Sequence, residues 1–353
     1  MRITANGIEQ GVLTWGPEDG IPLLLVHGNC SSAAFWEPFV RGSLGGDDGP
    51  WRIVAPDLRG YGESDAAPVD ATRGLRDFAD DLAALLDVEG LFEPGARPLV
   101  GAHSMGGGVV MQLVADRPGR VSGLLLESPL SPYGFGGTRD VDGGPTTDDF
   151  AGTGGGAVNP DFVARLAAGD RFADSPTSPR AVMRSTYVSD PTAFGDDEVA
   201  MLDSMLSTVV GDDNYPGDAS TSEHWPTSGP GTRGVTNAMS PKYFSVAEEL
   251  LALDPKPPVE WVRGTADAIV SDTSLFDLAY LGQLGAVPGW PGADACPPQP
   301  MVGQTRAVLE RYAAAGGSFT ETALEGCGHS PHVERPTETL TALQRLARAA
   351  GLG

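Results

Sequence analysis

The feature that most narrows what this chain can fold into is the run Ala102-His103-Ser104-Met105-Gly106, set between two apolar segments. Upstream, residues 97–101 read as a short buried strand. Downstream, the glycines 106–108 pass into Val109-Val110-Met111-Gln112-Leu113-Val114, an apolar stretch that reads as a helix lying against a sheet. A chain that passes from strand to helix within so few residues must turn sharply. Only small neighbours permit that turn and push the serine hydroxyl clear of the sheet. Two places before the serine stands Ala102, a methyl group where glycine is the commoner residue. Read alone, the run is also consistent with a glycine-rich turn and a capping serine, so its partners elsewhere in the chain decide.

Those partners depend on how the chain is organised. A strand at 23–26 enters the loop His27-Gly28-Asn29-Cys30, and a second, at 51–55, enters Asp57-Leu58-Arg59-Gly60-Tyr61-Gly62-Glu63-Ser64. Residues 74–88 carry Leu75, Phe78, Ala79, Leu82, Leu85 and Leu86 at helical spacing. After the Ser104 unit comes a strand at 121–127. This alternation predicts a mostly parallel sheet covered by helices on both faces. It breaks at 130, where a long Gly-, Asp-, Thr- and Pro-rich stretch runs to 158. Helices are then expected after Asn159-Pro160, Ser178-Pro179 and Ser240-Pro241, each an N-cap side chain followed by proline at the first helical position. Another is expected through Val199, Leu202, Leu206 and Val209. Strands return at 258–264 and 319–324, with helices at 302–315 and from Pro336 onward; a Gly/Pro-rich loop occupies 282–299. The division expected is a sheet domain of 1–130 and 250–353, interrupted by a mainly helical cap at 131–249.

Composition narrows the partners. Of 353 residues, 41% are hydrophobic, ample for a core. Lys and Arg number 23 against 47 Asp and Glu, a formal charge of −24, so the surface repels phosphate backbones and anionic headgroups. Neither nucleic acid nor a membrane is expected as partner; a small-molecule substrate is. Residues 1–7 lack the apolar stretch of a leader, and no run approaches transmembrane length. Cys30, Cys296 and Cys327 have no metal spacing and fit a reducing cytoplasm, with a Cys296–Cys327 bridge left open. No metal cluster, dinucleotide fingerprint or phosphate loop stands in a suitable context, so neither metal nor cofactor is expected.

A serine hydroxyl becomes a nucleophile only when a base takes its proton and that base is itself held and supported. Asp267 follows the strand at 258–264 through Gly264-Thr265-Ala266, and His329 follows the last strand inside Gly328-His329-Ser330-Pro331. Glu127, at the end of an earlier strand, is a competing acid, and His332 is a further histidine in the last loop. With His27-Gly28-Asn29, the Asp57–Ser64 run and the order Ser104, Asp267, His329, the chain resembles the α/β-hydrolase superfamily, in the branch with a helical cap between the sixth and seventh strands. The resemblance implies Ser104 as nucleophile in a nucleophile elbow, His329 as general base and acid, and Asp267 as the group that orients it. It implies an oxyanion hole from the backbone N–H groups of Met105 and Asn29, with Cys30 the adjacent alternative. By the same resemblance His27 and His103 shape their loops, and Arg59 fixes loops rather than binding ligand.

Related enzymes of this fold that open alkyl halides or epoxides carry aspartate at the elbow, so serine there implies an acyl-enzyme. The expected activity is a cytoplasmic serine hydrolase for an ester or lactone of a small, moderately apolar molecule. Candidate substrate contacts are Cys30, His103, Tyr133, Phe135, Trp225 and Tyr243, with His224 a further cap residue. A carbon–carbon bond hydrolase or amidase with the same triad, peracid formation as a side activity, and a hydrolase-like receptor that retains its ligand are the alternatives.

Overall fold

An eight-stranded sheet carries the site in the computed structural model, which describes residues 1–352. Its strands are β1 (Arg2–Ala5), β2 (Ile8–Trp15), β3 (Ile21–Val26), β4 (Trp51–Pro56), β5 (Leu99–His103), β6 (Gly123–Glu127), β7 (Val259–Gly264) and β8 (Phe319–Leu324). They lie in the order β1-β2-β4-β3-β5-β6-β7-β8. β2 runs antiparallel to both β1 and β4, and every other pairing is parallel. The central strands β3, β5 and β6 are short, nearly continuous apolar runs because both their faces are covered. Alternate residues of β3 show how. Leu24 and Val26 join a cluster with Phe78 and Leu82 of α1 (Arg76–Leu85) and Val109 of α2 (Met105–Asp116). Leu23 and Leu25 face the other way, into a cluster holding Trp36, Phe39 and, from the C-terminal helix Pro336–Ala349, Leu343 and Leu346.

Between β6 and β7 the chain leaves the large sheet for residues 128–258. This insert is a set of short helices, chiefly α3 (Pro160–Ala167) and α4 (Glu198–Leu206), with two antiparallel ribbons and one parallel strand pair, each strand only two or three residues long. The predicted start at Asn159-Pro160 is realised: the Asn159 side chain accepts from the Asp161 N–H, 2.9 Å away. The one at Ser240-Pro241 is not. There Tyr243 and Phe244 both donate to the Ser240 carbonyl and the Ser240 hydroxyl accepts from the Lys242 N–H at 3.3 Å while also bonding Thr153, a capped turn that stops; the helix begins only at Ala247. All three cysteines are free, which removes the Cys296–Cys327 bridge. Among the described residues no helix is long and apolar enough to cross a membrane.

Because the sheet from β4 to β8 is parallel, the loops after β3, β5, β7 and β8 all emerge at its carboxyl edge. In open α/β sheets this is the edge at which ligands bind. Asn29, Ser104, Asp267 and His329 sit in those four loops.

Candidate active site

Ser104 has φ +55° and ψ −122°, a conformation rarely taken by a residue with a side chain. The surroundings impose it. The Ser104 N–H donates to the Glu127 carbonyl, and its own carbonyl accepts from Gly107 and Leu130, all at 2.9 Å. Small neighbours are needed on both sides: a Cβ on Gly106 would lie 2.5 Å from the His27 carbonyl oxygen, and one on Gly28 would lie 2.9 Å from the Ser104 Cβ.

His329 and Asp267 are joined directly. The His329 Nδ1 lies 3.0 and 2.9 Å from the two Asp267 oxygens, and both residues are buried. The carboxylate is itself fixed, accepting from the N–H groups of Ile269 at 2.8 Å and Val270 at 3.0 Å. A carboxylate on Nδ1 keeps the proton there and leaves Nε2 as the basic nitrogen. Ser104 and His329 border one cavity, and no hydrogen bond joins their side chains among the described residues. Catalytic hydrogen bonds are often long before substrate enters. The competing acid Glu127 is engaged elsewhere: its oxygens lie 3.0 Å from Nδ1 of His332, whose backbone N–H they also accept. That makes a second buried carboxylate–imidazole pair beside the first. His103 lies between them; its ring nitrogen Nε2 donates to the His329 carbonyl at 2.9 Å, and burial together with the two neighbouring imidazoles holds its pKa well below the ordinary value.

The loop after β3 offers a free donor at Asn29. The Gly28 carbonyl accepts from His27 Nδ1 at 2.7 Å, so the N–H across that planar trans peptide, that of Asn29, points the opposite way. It makes no hydrogen bond among the described residues. The next N–H, Cys30's, is taken by the Asn29 carboxamide oxygen at 2.9 Å. Asn29 rather than Cys30 therefore has a donor to offer. Met105, first residue of α2, likewise has no intrahelical acceptor for its N–H.

The cavity these groups border holds about 350 Å³. Cys30, His103 and Phe135 line it. Three residues expected as substrate contacts do not, and the structure corrects them. Tyr133 packs its ring over Gly143 and turns its hydroxyl to Arg311. Trp225 donates its indole N–H to the Pro288 carbonyl at 2.9 Å, pinning the 282–299 loop. Tyr243 is half-buried under the Lys242 ammonium. Beside Phe135 the aromatic lining includes Phe162, Tyr187, Tyr215 and Phe276, which the sequence alone did not single out as contacts. The signal for Phe162 was present: it shares helical spacing with Leu166 on α3, whereas three of the four aromatics chosen sit in glycine- and proline-rich stretches. Burial pushes the Cys30 thiol up to about 12, so it faces the cavity as a neutral group. His224 is exposed and lies 3.2 Å from Asp148. With Asp149 these two form the one group among the described residues whose side-chain atoms are spaced to hold a metal ion, and none of the three borders the cavity.

Comparison with known proteins agrees with this architecture. A model of the alpha/beta hydrolase family matches residues 23–342. The candidate carbamate hydrolase RutD of Variovorax paradoxus (strain S110) is 41% identical over 119 residues, 33% of this chain and 41% of that protein. The non-heme chloroperoxidase of Streptomyces lividans is 32% identical over 182 residues, covering 50% of this chain and 58% of the relative. Both alignments thus span less than two thirds of those relatives. The crystal structure of esterase RhEst1 from Rhodococcus sp. ECU1013 superposes with a TM-score of 0.58 over 100% of this chain and 98% of that one, at 21% identity, a likeness of fold.

Proposed function

The chain belongs to the alpha/beta hydrolase family, and from that premise we propose that it is a serine hydrolase. Its substrate is a carboxylic ester or lactone of a small, moderately apolar molecule, cleaved through an acyl-enzyme on Ser104. One observation carries this reading: a strained serine and a buried histidine–carboxylate pair meet at a single, predominantly apolar cavity.

In the reaction, the Ser104 Oγ attacks the acyl carbon and its proton passes to His329 Nε2. Asp267, hydrogen-bonded at Nδ1, stabilises the imidazolium that results. Positioned proton transfer of this kind contributes roughly 10²–10⁴-fold. The negative charge on the former carbonyl oxygen falls to the Asn29 and Met105 N–H groups, each worth about 3–4 kcal/mol. As the tetrahedral intermediate collapses, the bond to the alcohol oxygen breaks and His329 returns its proton to that oxygen. Water then repeats the sequence on the acyl-enzyme, releasing the acid and freeing Ser104.

The test is Ser104→Ala. Turnover of a p-nitrophenyl ester is expected to vanish while the thermal midpoint stays that of the parent, and a fluorophosphonate probe is expected to label the parent only. Retained turnover overturns the reading. A single slow burst with product held on the parent protein would instead favour the receptor alternative.

A further inference from the structure

The donor at Asn29 depends on a loop in an unfavourable conformation. Cys30 has φ +46° with a side chain attached, which costs about 1–2 kcal/mol and persists only where neighbours over-determine it. The neighbours are identifiable. The peptide joining Asn29 and Cys30 is held at both ends. Its N–H is taken by the Asn29 carboxamide oxygen, which also accepts from the Tyr61 hydroxyl at 2.7 Å. Its carbonyl, that of Asn29, accepts from the Tyr187 hydroxyl at 3.3 Å, and the same hydroxyl lies 3.0 Å from the Cys30 carbonyl. Tyr61 comes from the loop after β4; Tyr187 closes the helical turn Met183–Tyr187 of the insert.

We propose that Tyr187 is a positioning residue through which the insert holds the oxyanion donor: its hydroxyl, bridging the Asn29 and Cys30 carbonyls opposite Tyr61, prevents the peptide from rotating and so keeps the Asn29 N–H at the cavity. The inference rests on the serine hydrolase reading. If the Tyr187 hydroxyl is withdrawn, both carbonyls lose their partner inside a buried loop. The low-energy repair is a peptide rotation that relieves the positive φ at Cys30. Such a rotation moves the Asn29 N–H by way of the shared Cα. Both phenols are buried, and burial raises their pKa values well above the ordinary one, so each remains a donor throughout the working range. Because the insert supplies Tyr187, the oxyanion hole is complete only when insert and sheet domain are docked.

An interaction that matters only when charge develops lowers kcat and leaves KM alone. Tyr187→Phe removes one oxygen and keeps the ring, hence the cavity wall. We expect kcat for p-nitrophenyl butyrate to fall about 10-fold, short of the roughly 10²–10³-fold loss for deleting a donor outright, with KM within about twofold. Tyr61→Phe is the control, because Tyr61 is absent from the cavity wall. It is expected to lower kcat in the same way and cannot do so through lost substrate contact. Affinity for butylboronic acid, whose tetrahedral adduct uses the same hole, is expected to fall in parallel, with the thermal midpoint of at least one variant unchanged. If kcat of both variants stays within about twofold of the parent, or if the loss appears in KM alone, the positioning role is wrong. Running Ser104→Ala beside them separates this failure from the other: turnover retained there removes the serine hydrolase reading itself.

Discussion

His27 illustrates how a single side chain can commit a loop and make stability depend on pH. Its Nε2 accepts from the Leu58 N–H at 2.9 Å, which requires that nitrogen to be unprotonated, so Nδ1 carries the proton it donates to the Gly28 carbonyl. Both nitrogens are used by the neutral ring, and burial lowers its pKa to about 4. An unfolded histidine titrates near 6.5. Between these values the unfolded chain holds a proton that the native protein does not, so stability falls as pH drops through that window and is whole above it. The full interval is worth about 3 kcal/mol. Urea denaturation at pH 7 and at pH 4.5 is expected to show a loss approaching that size, with His103 adding in the same direction because its pKa too is lowered by burial. In His27→Gln the slope across this range is expected to be shallower by about one proton; an unchanged slope would assign the effect to other groups. The same residue bears on the site, since its hold on the Gly28 carbonyl turns the Asn29 N–H away from it.

Elements are docked here by buried charge as well as by apolar faces. Arg59, in the loop after β4, makes a two-pronged contact with Asp81 of α1 at 2.6 and 2.7 Å, and a third bond to the Pro68 carbonyl at 2.9 Å. Asp81 also accepts from Asn6 in the β1–β2 turn, so one carboxylate joins the hairpin, α1 and the loop that carries Tyr61. Asp81→Ala removes the two-pronged partner of a buried guanidinium, leaving it only the Asp77 carboxylate at 3.7 Å, and is expected to cost about 3 kcal/mol in urea denaturation. Arg59→Met combined with Asp81→Leu is expected to cost less than that single change, because neither charge is then stranded. The hairpin shows which elements escape a reading by apolar periodicity. β1 and β2 form an edge pair with mixed burial, so neither has a continuous apolar run, although Asn6-Gly7 at φ +53° and +75° is a strong two-residue turn signal. The central strands and α1 were legible because burial on one or two faces writes a period into them. The start at Ser240 misled because a capping serine followed by proline specifies a single turn as well as it specifies a helix start: the hydroxyl caps the Lys242 N–H, yet the chain leaves the turn before Ala247. Ser104, Asp267 and His329 were legible as a group since each follows a strand of the same parallel sheet. The cavity wall was not: Phe135 and Trp225 both lie in loops, and only the docking of the insert decides that one borders the cavity while the other holds Pro288.

At the scale of the whole molecule, a strongly acidic exterior surrounds a cavity whose described lining carries no carboxylate, ammonium or guanidinium group. The chain carries −24, yet among the described residues lining the cavity there is no Asp, Glu, Lys or Arg. Several hydroxyls in that lining are already spent on the protein: Thr153 donates to the Phe150 carbonyl, Thr186 to that of Val182 and Thr236 to that of Pro216. A substrate therefore meets mainly apolar surface away from Ser104, His329 and the free N–H groups. Two effects then act against an anionic ester, and they differ in range. Burying a second carboxylate without a partner costs several kcal/mol and does not respond to salt. Repulsion by the surface does respond, since the Debye length shrinks from about 30 Å at 0.01 M to about 10 Å at 0.1 M. Comparing p-nitrophenyl butyrate with the p-nitrophenyl monoester of succinic acid, we expect kcat/KM to favour the neutral ester by at least about 100-fold at low salt, equivalent to about 3 kcal/mol. Raising the ionic strength to about 0.1 M should recover only a few-fold of that gap, all of it on the anionic ester. Recovery of the whole gap would place the discrimination on the surface charge and leave the neutral cavity without a part in it. A gap below about tenfold at both salts would mean that the bound carboxylate keeps its water, and that the cavity in use is wider than the one formed by Phe162, Tyr187 and Tyr215.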